Sequence, residues 1–359
     1  MLKDYFNPIL DRDILGLQQD GTVSRQIKIN TGFLPDMEDA QVAIIGIGSN
    51  ANLIRKHFYQ LSDNIGPARM VDLGNFKEGE DHNNTGYGLC HIIEELKRSG
   101  IIAIVLGDTV DYSYYQFMAY ENEDEHMCEV VRIENGINLE EGSPLRNIIL
   151  HKPNYLFNVT NIGVQTHYVS NVLETYMNEM CFDVMRLGTY RDNPQECEPI
   201  FRSAEMVSFD LRSVKGVELN WAHQFPNGFT SEEACQISRY AGISNYVSSV
   251  LFYGINLDDK NQAGAALYAQ LVWYFIQGYV NRRYDTPDKD SKNFTIYNTP
   301  IVNGKYNLIF LKSHFSDRWW LEIGEDGNKN YISCSHSDYV LACKDELPDR
   351  WWKAYQKLM

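Results

Sequence analysis

Apolar residues in this chain fall in short continuous runs rather than in long alternating stretches. Eight runs stand out, at residues 42–47, 68–73, 101–106, 129–133, 155–159, 183–187, 205–209 and 248–255. A strand covered on both faces loses the in–out alternation of a half-exposed strand and reads as one unbroken apolar segment. Helical signals lie between the runs. Residues 88–98 carry one and stop at Gly100, a good terminator because glycine accepts the left-handed backbone of a C-terminal cap. Thr230-Ser231-Glu232-Glu233 opens another. It offers a cap hydroxyl, Thr230 or Ser231, and acids in the first turn, where the helix dipole favours them. Strands alternating with helices predict a three-layer α/β/α fold around a mainly parallel sheet of about eight strands.

Residues 261–281 carry no charge over a length that could span a bilayer. Gln262, Gly264, Gln270 and Gln277 interrupt the apolar run. The segment therefore predicts a helix buried in a large core rather than a membrane span. The pattern changes after residue 284. Asp285-Thr286-Pro287-Asp288-Lys289-Asp290-Ser291-Lys292 is charged and turn-forming, and reads as a linker or exposed loop. Beyond it, Val302-Asn303-Gly304-Lys305 predicts a turn and residues 306–311 and 319–323 predict strands. Asp326-Gly327 predicts a hairpin turn before Tyr331-Ile332. The expected organisation is an N-terminal arm over 1–40, an α/β domain over 41–284, and a linker with a tryptophan-rich extension over 285–359.

In that extension Asp-Arg-Trp-Trp occurs twice, at 317–320 and 349–352, and holds four of the six tryptophans. Paired tryptophans bury much area and arginine stacks on them, so packing is the plain expectation. A partner-binding patch is the sharper one, because interfaces favour Trp and Arg.

Composition narrows the function classes. A net charge of -16 disfavours nucleic-acid binding, which needs clustered Lys and Arg to neutralise phosphates. The seven cysteines are scattered, with no close Cys-x-x-Cys pair, which argues for reduced thiols rather than a disulfide framework or zinc ribbon. Met1-Leu2-Lys3-Asp4-Tyr5-Phe6 lacks the apolar core of a secretory signal. The expectation is a cytoplasmic protein with neither a membrane nor a nucleic-acid partner.

Four segments could carry chemistry. Gly46-x-Gly48-x-x-Ala51 follows a strand, and Asp72 ends the next one, which satisfies the outline of a dinucleotide-binding fingerprint for NAD, NADP or FAD. Ser49-Asn50 would serve an ordinary helix cap equally well. Leu106-Gly107-Asp108-Thr109-Val110 and Ile133-Glu134-Asn135-Gly136-Ile137-Asn138-Leu139 both sit at strand ends, where open α/β sheets bind ligands. Asp108, Thr109, Glu134 and Asn138 could offer oxygens there. The fourth segment is Val207-Ser208-Phe209-Asp210-Leu211-Arg212-Ser213-Val214-Lys215, a buried strand ending in an aspartate.

That segment, followed by Pro226-Asn227-Gly228-Phe229-Thr230-Ser231-Glu232-Glu233, resembles the second half of the ureohydrolase family: arginase, agmatinase and formimidoylglutamase. The family pattern there is S-F-D-x-D-x-x-D, then P-G-G-L-T-x-x-E. Gly107-Asp108-Thr109 falls on the family's G-G-D-H, and residues 134–138 fall on its D-A-H-x-D. Leu156-Phe157-Asn158 and Asn161-Ile162-Gly163-Val164-Gln165 are similar to formimidoylglutamases, and the resemblance covers about residues 41–284.

The resemblance implies a pair of manganese ions held by two histidines and four aspartates. In this chain the corresponding positions read Thr109, Glu134, Gly136, Asn138, Asp210 and Arg212. Only Asp210 is retained, and a cation replaces its partner. The substrate-holding acid corresponds to Glu233, which is kept. The expectation is a degenerate relative without the metal pair, in which Arg212 fills the old cavity and pairs with Asp210 and Glu134. Such a protein would bind a small-molecule ligand or a protein partner, with Thr109, Glu134, Asn138, Asp210 and Arg212 lining the pocket. The rival expectation is a working C–N hydrolase with one manganese or a rearranged site, using Asp210, Glu134, Asp108 and Glu233. His126, His151 and His167 would then be the histidines to suspect. Family members commonly oligomerise, so the resemblance also implies a homo-oligomer.

Overall fold

The computed structural model describes residues 2–121, 127–219, 225–254, 262–324 and 330–358. Its strands are β1 (Phe6–Asn7), β2 (Ile27–Ile29), β3 (Val42–Gly46), β4 (Met70–Phe76), β5 (Ile102–Leu106), β6 (Cys128–Ile133) and β7 (Leu156–Val164). They continue with β8 (Asp183–Arg186), β9 (Met206–Asp210), β10 (Ser249–Tyr253), β11 (Phe294–Ile301), β12 (Tyr306–Ser313), β13 (Trp319–Ile323) and β14 (Asn330–Cys334). The helices are α1 (Arg12–Leu15), α2 (Ala51–Phe58), α3 (His82–Arg98), α4 (Tyr112–Met118), α5 (Pro144–Leu150) and α6 (Asn171–Glu179). After these come α7 (Leu187–Asp192), α8 (Cys197–Ser203), α9 (Ser231–Ile243), α10 (Gln262–Val280), α11 (His336–Cys343) and α12 (Asp349–Leu358).

Each of the eight apolar runs becomes a strand of one sheet, in the order β4-β3-β5-β10-β9-β6-β7-β8. These strands pair in parallel throughout. The sheet has ten strands rather than about eight, because β1 and β2 of the first 40 residues both pair with β4. Both faces are covered, as continuous apolar strands require. On one face Val131, Ile133, Val207, Phe209, Val250 and Phe252 pack into the core that holds α9 and α10. On the other, Val130, Met206 and Leu251 pack with Leu89, Ile92 and Leu96 of α3 and with Phe117, Leu145 and Ile148.

Helix α10 is the uncharged segment, and ten of its residues, from Gly264 to Gly278, are buried. No described helix is long and apolar enough to cross a membrane. Helix α9 starts on a reciprocal capping box. The Thr230 hydroxyl accepts from the Glu233 amide, and the Glu233 carboxylate accepts from the Thr230 amide. None of the seven cysteines forms a disulfide.

The extension forms its own antiparallel sheet, β11-β12-β13-β14, with α11 and α12. The sequence missed β11: its burial alternates, so no continuous apolar run marks it. The extension docks on α8. Arg202 donates to the carbonyls of Trp319 at 3.0 Å and Cys334 at 2.7 Å, and stacks over Trp320 at 4.8 Å. Lys353 pairs with Asp183 at 2.9 Å, pinning α12 to β8.

The two Asp-Arg-Trp-Trp copies adopt different backbones: the tryptophans of the first lie on β13, those of the second on α12. Trp319, Trp320 and Trp351 are buried, which is the packing expectation, whereas Trp352 is 42% exposed. Trp351 stacks on Tyr355 at 5.0 Å inside the extension's core. Trp351→Ala should therefore cost about 3–5 kcal/mol of stability, and Trp352→Ala no more than about 0.5 kcal/mol. Urea denaturation of the two single variants checks this; equal losses would contradict the assignment of Trp351 to core and Trp352 to surface.

Candidate functional site

The chain leaves β5, builds β6 to β8 at one end of the sheet, then returns to insert β9 and β10 between β5 and β6. Ligands in open α/β sheets bind beyond the carboxyl ends of strands near such a reversal. A cleft of about 440 Å³ lies there, at the ends of β6 and β9. Arg132, Glu134, Asn135, Asn138, Asp210 and Arg212 supply its polar lining; Val110, Ile137, Leu145 and Phe225 supply apolar wall.

Asp210 is the last residue of β9 and is 3% exposed. The strand ends in a tight turn that brings Arg212 back over it. Arg212 donates from Nε to Oδ1 at 3.0 Å and to Oδ2 at 2.8 Å, and from Nη2 to Oδ2 at 2.6 Å. Its backbone amide donates to Oδ1 at 2.8 Å. The opposite wall must be glycine. Gly254, at φ +113°, has a backbone that side chains rarely adopt, and a Cβ there would run into Asp210 Oδ1. Burial pushes the Asp210 carboxyl up and nearby Glu134 adds to this, while the Arg212 contacts pull it back. Burial also works against the Arg212 cation, but its hydrogen bonds and attraction to Asp210 prevail and push its pKa up. Guanidinium stays protonated in any case, so the pair is ionic and charge-assisted.

Glu134 is served by other residues. Arg132 pairs with its Oε1, and Tyr253 donates to the same oxygen at 2.6 Å. The expected Arg212 partnership with Glu134 is thus replaced by one with Arg132, two residues earlier on the same face of β6. Arg132 and Tyr253 both lie inside apolar runs of the sequence and so do not stand out there. The signal was present: a charge in a doubly covered strand is buried, and a buried charge needs a partner.

Arg132 is 3% exposed and stands beside Asn161 of β7 and Ser208 of β9 in strand register. Its Nη1 donates to Ser113 Oγ at 3.3 Å. Arg132 Nε, both amide atoms of Asn161, Ser208 Oγ and Gln116 Oε1 are buried without a hydrogen-bond partner. A polar row therefore continues from the cleft into the sheet.

The remaining candidates are placed as follows. Asn138 lines the cleft; its Oδ1 accepts from the Glu140 amide at 2.8 Å. Gly136 lines it without a side chain. Thr109 lies outside the lining and is held in a local turn, donating to Asp111 at 2.9 Å. Asp108 is also outside; its carboxylate accepts weakly from the Ser49 amide at 3.4 Å. Glu233 is committed to its capping box and to Arg191, at 3.2 Å, and does not line the cleft. His151 packs among Tyr114, Phe117 and Tyr155, and exposed His167 packs on Tyr168. Neither lines the cleft, and His126 lies outside the described residues.

The dinucleotide reading is corrected by Asp72. A ribose-binding acid must be open, yet Asp72 is 0% exposed. Arg55 donates to it through Nε at 2.8 Å and Nη2 at 2.9 Å, and Tyr59 donates at 2.9 Å. Gly46 and Gly48 are explained by close packing against Asn75, Ala51 and Asp108.

A binuclear manganese centre needs open carboxylate oxygens and uncharged nitrogen or oxygen donors. Arg212 saturates Asp210, and Arg132 with Tyr253 occupies Glu134. Among the described residues no group of three or more His, Cys, Asp and Glu side chains could hold a metal. A guanidinium about 4 Å from a dication would be repelled by about 8 kcal/mol at an effective dielectric of about 20. The described residues do not fit that centre.

No family model matches the chain, and no curated protein matches it. Solved structures do. Formiminoglutamase from Trypanosoma cruzi with manganese aligns with 69% of this chain and 96% of its own, at 16% identity and a TM-score of 0.60. Formimidoylglutamase from Bacillus subtilis aligns with 74% of this chain and 95% of its own, at 14% identity and a TM-score of 0.62. Arginase from Bacillus caldovelox aligns with 66% and 98%, at 13% identity and a TM-score of 0.52. The chain carries the arginase-superfamily, or ureohydrolase, fold.

Proposed function

We propose that this protein is a degenerate ureohydrolase relative that lacks the manganese pair and works by binding, as a ligand-binding or scaffold protein. One observation carries the reading: the single retained ligand position, Asp210, has all its strong acceptor directions taken by Arg212. A metal-activated hydroxide is what makes water a competent nucleophile at neutral pH. With guanidinium groups in place of open ligands, no group among the described residues of the cleft would generate one. Glu233 supports the same reading, since its carboxylate is spent on the α9 cap and Arg191. The resemblance adds self-association, and the composition adds a cytoplasmic setting.

Release of ammonia, urea and formamide from formimidoylglutamate, arginine and agmatine tests this. Wild type and Asp210→Ala should both stay at the background of the buffer. Product release by wild type that disappears in Asp210→Ala would overturn the reading in favour of a working hydrolase.

A further inference from the structure

We propose that the cleft binds a small organic carboxylate, with the acid group on the Arg212 guanidinium and the carbon body against the apolar wall. This rests on the metal-free, binding-protein reading above and names the ligand class for that site. Donor and acceptor inventories decide it. An arginine offers five N–H groups. Arg212 commits Nε and Nη2 to Asp210, and its Nη1 makes no hydrogen bond among the described residues. Arg132 commits Nη1 to Ser113 and Nη2 to Glu134, and keeps Nε unpartnered while 3% exposed. The acceptors are the reverse. Asp210 Oδ1 and Oδ2 each receive two donors, and Glu134 Oε1 receives both Arg132 and Tyr253. Arg212 therefore turns an uncommitted, solvent-accessible N–H edge toward the cleft beside an Asp210 carboxylate that already holds four contacts, which favours a ligand that brings acceptor oxygens.

Charge and size narrow the class. Arg132 and Arg212 balance Glu134 and Asp210, so the lining is neutral and one ligand charge meets no opposing excess. Arg212 is 41% exposed at its side chain and reachable from the cleft. A carboxylate presents two oxygens at the spacing of a guanidinium edge. The volume of about 440 Å³ lies in the range of small-molecule sites and is far more than an inorganic ion needs. Val110, Ile137, Leu145 and Phe225 give an organic body its apolar contact. A guanidine or amine ligand, by contrast, would meet the Arg212 cation and an Asp210 carboxylate whose two oxygens are both taken.

The test is calorimetric titration of the full chain with pentanoate, inorganic phosphate and agmatine, with manganese content measured on the same sample. Pentanoate should bind saturably and agmatine should not. Arg212→Lys keeps the charge but removes the free guanidinium edge, and should weaken pentanoate about tenfold or more. Phe225→Asp, in the half-buried apolar wall, should weaken it as well. Agmatine binding in place of pentanoate, phosphate binding in its place, or equal pentanoate affinity in folded Arg212→Lys and Phe225→Asp would each overturn the proposal. Stoichiometric manganese would instead sink the underlying metal-free reading. Metal-free protein that ignores pentanoate would sink only this proposal.

Discussion

Asp72→Asn is expected to lower the unfolding free energy by about 3–5 kcal/mol, the cost of removing one partner of a fully buried ion pair. Asp72 and Arg55 both have 0% exposed side chains. The substitution is nearly isosteric, so packing changes little, but it leaves a guanidinium that cannot shed its proton in a fully buried site. Arg55 also donates to the Gly74 carbonyl at 2.9 Å and to Asn75, so it ties α2 to the far end of β4. The pair thus fixes the unit formed by β3, α2 and β4. Urea denaturation at neutral pH reads the loss. The double variant Asp72→Asn/Arg55→Met should recover much of it, because the stranded charge is gone. A single variant within about 1 kcal/mol of wild type would show that the pair is not what it looks like.

Arg212→Met should cost about 2 kcal/mol near pH 8, less than a fully buried pair because the Arg212 side chain is 41% exposed. Its signature is the pH dependence. Burial raises the Asp210 carboxyl, Glu134 adds to that, and the Arg212 contacts are what oppose it. Without Arg212 the folded-state pKa climbs further above the unfolded value of about 3.9. The native state then holds a proton that the unfolded chain has released. Stability must fall as pH rises through that interval, since it rises with pH only where the unfolded state binds more protons. The variant should be close to wild type near pH 4 and lose ground steadily up to its raised pKa; wild type should show the same slope more weakly. Urea midpoints at several pH values decide it, and a variant with a pH-independent deficit would contradict an ionic Asp210–Arg212 pair.

Much of the fold was legible because doubly covered strands leave unbroken apolar runs, and eight of them surfaced as the central strands in sequence alone. Strands β1 and β2 were not legible: at two and three residues they carry too few apolar positions for any period to register. Strand β11 alternates between buried and exposed positions and was lost against a charged linker. At the site, Asp210 and Arg212 could be paired on paper because they are two residues apart. Arg132 and Tyr253 could not, because each sits inside an apolar run, and Tyr253 reaches Glu134 across a separation of 119 residues. The same distance problem misassigned Asp72. The sequence places it at a strand end open to a ribose, whereas it lies inside β4, and the arginine that claims it is on the preceding helix. Glu233 corresponds by resemblance to a substrate-holding acid, and Thr230 three residues before it also marks the capping box that the structure shows.

The most direct measurement is manganese content by elemental mass spectrometry on full-length protein produced in excess manganese, washed free of loosely held ions. With Asp210 held by Arg212 and Glu134 held by Arg132 and Tyr253, the expected result is manganese at background. A stoichiometric pair of manganese ions on each chain would contradict it.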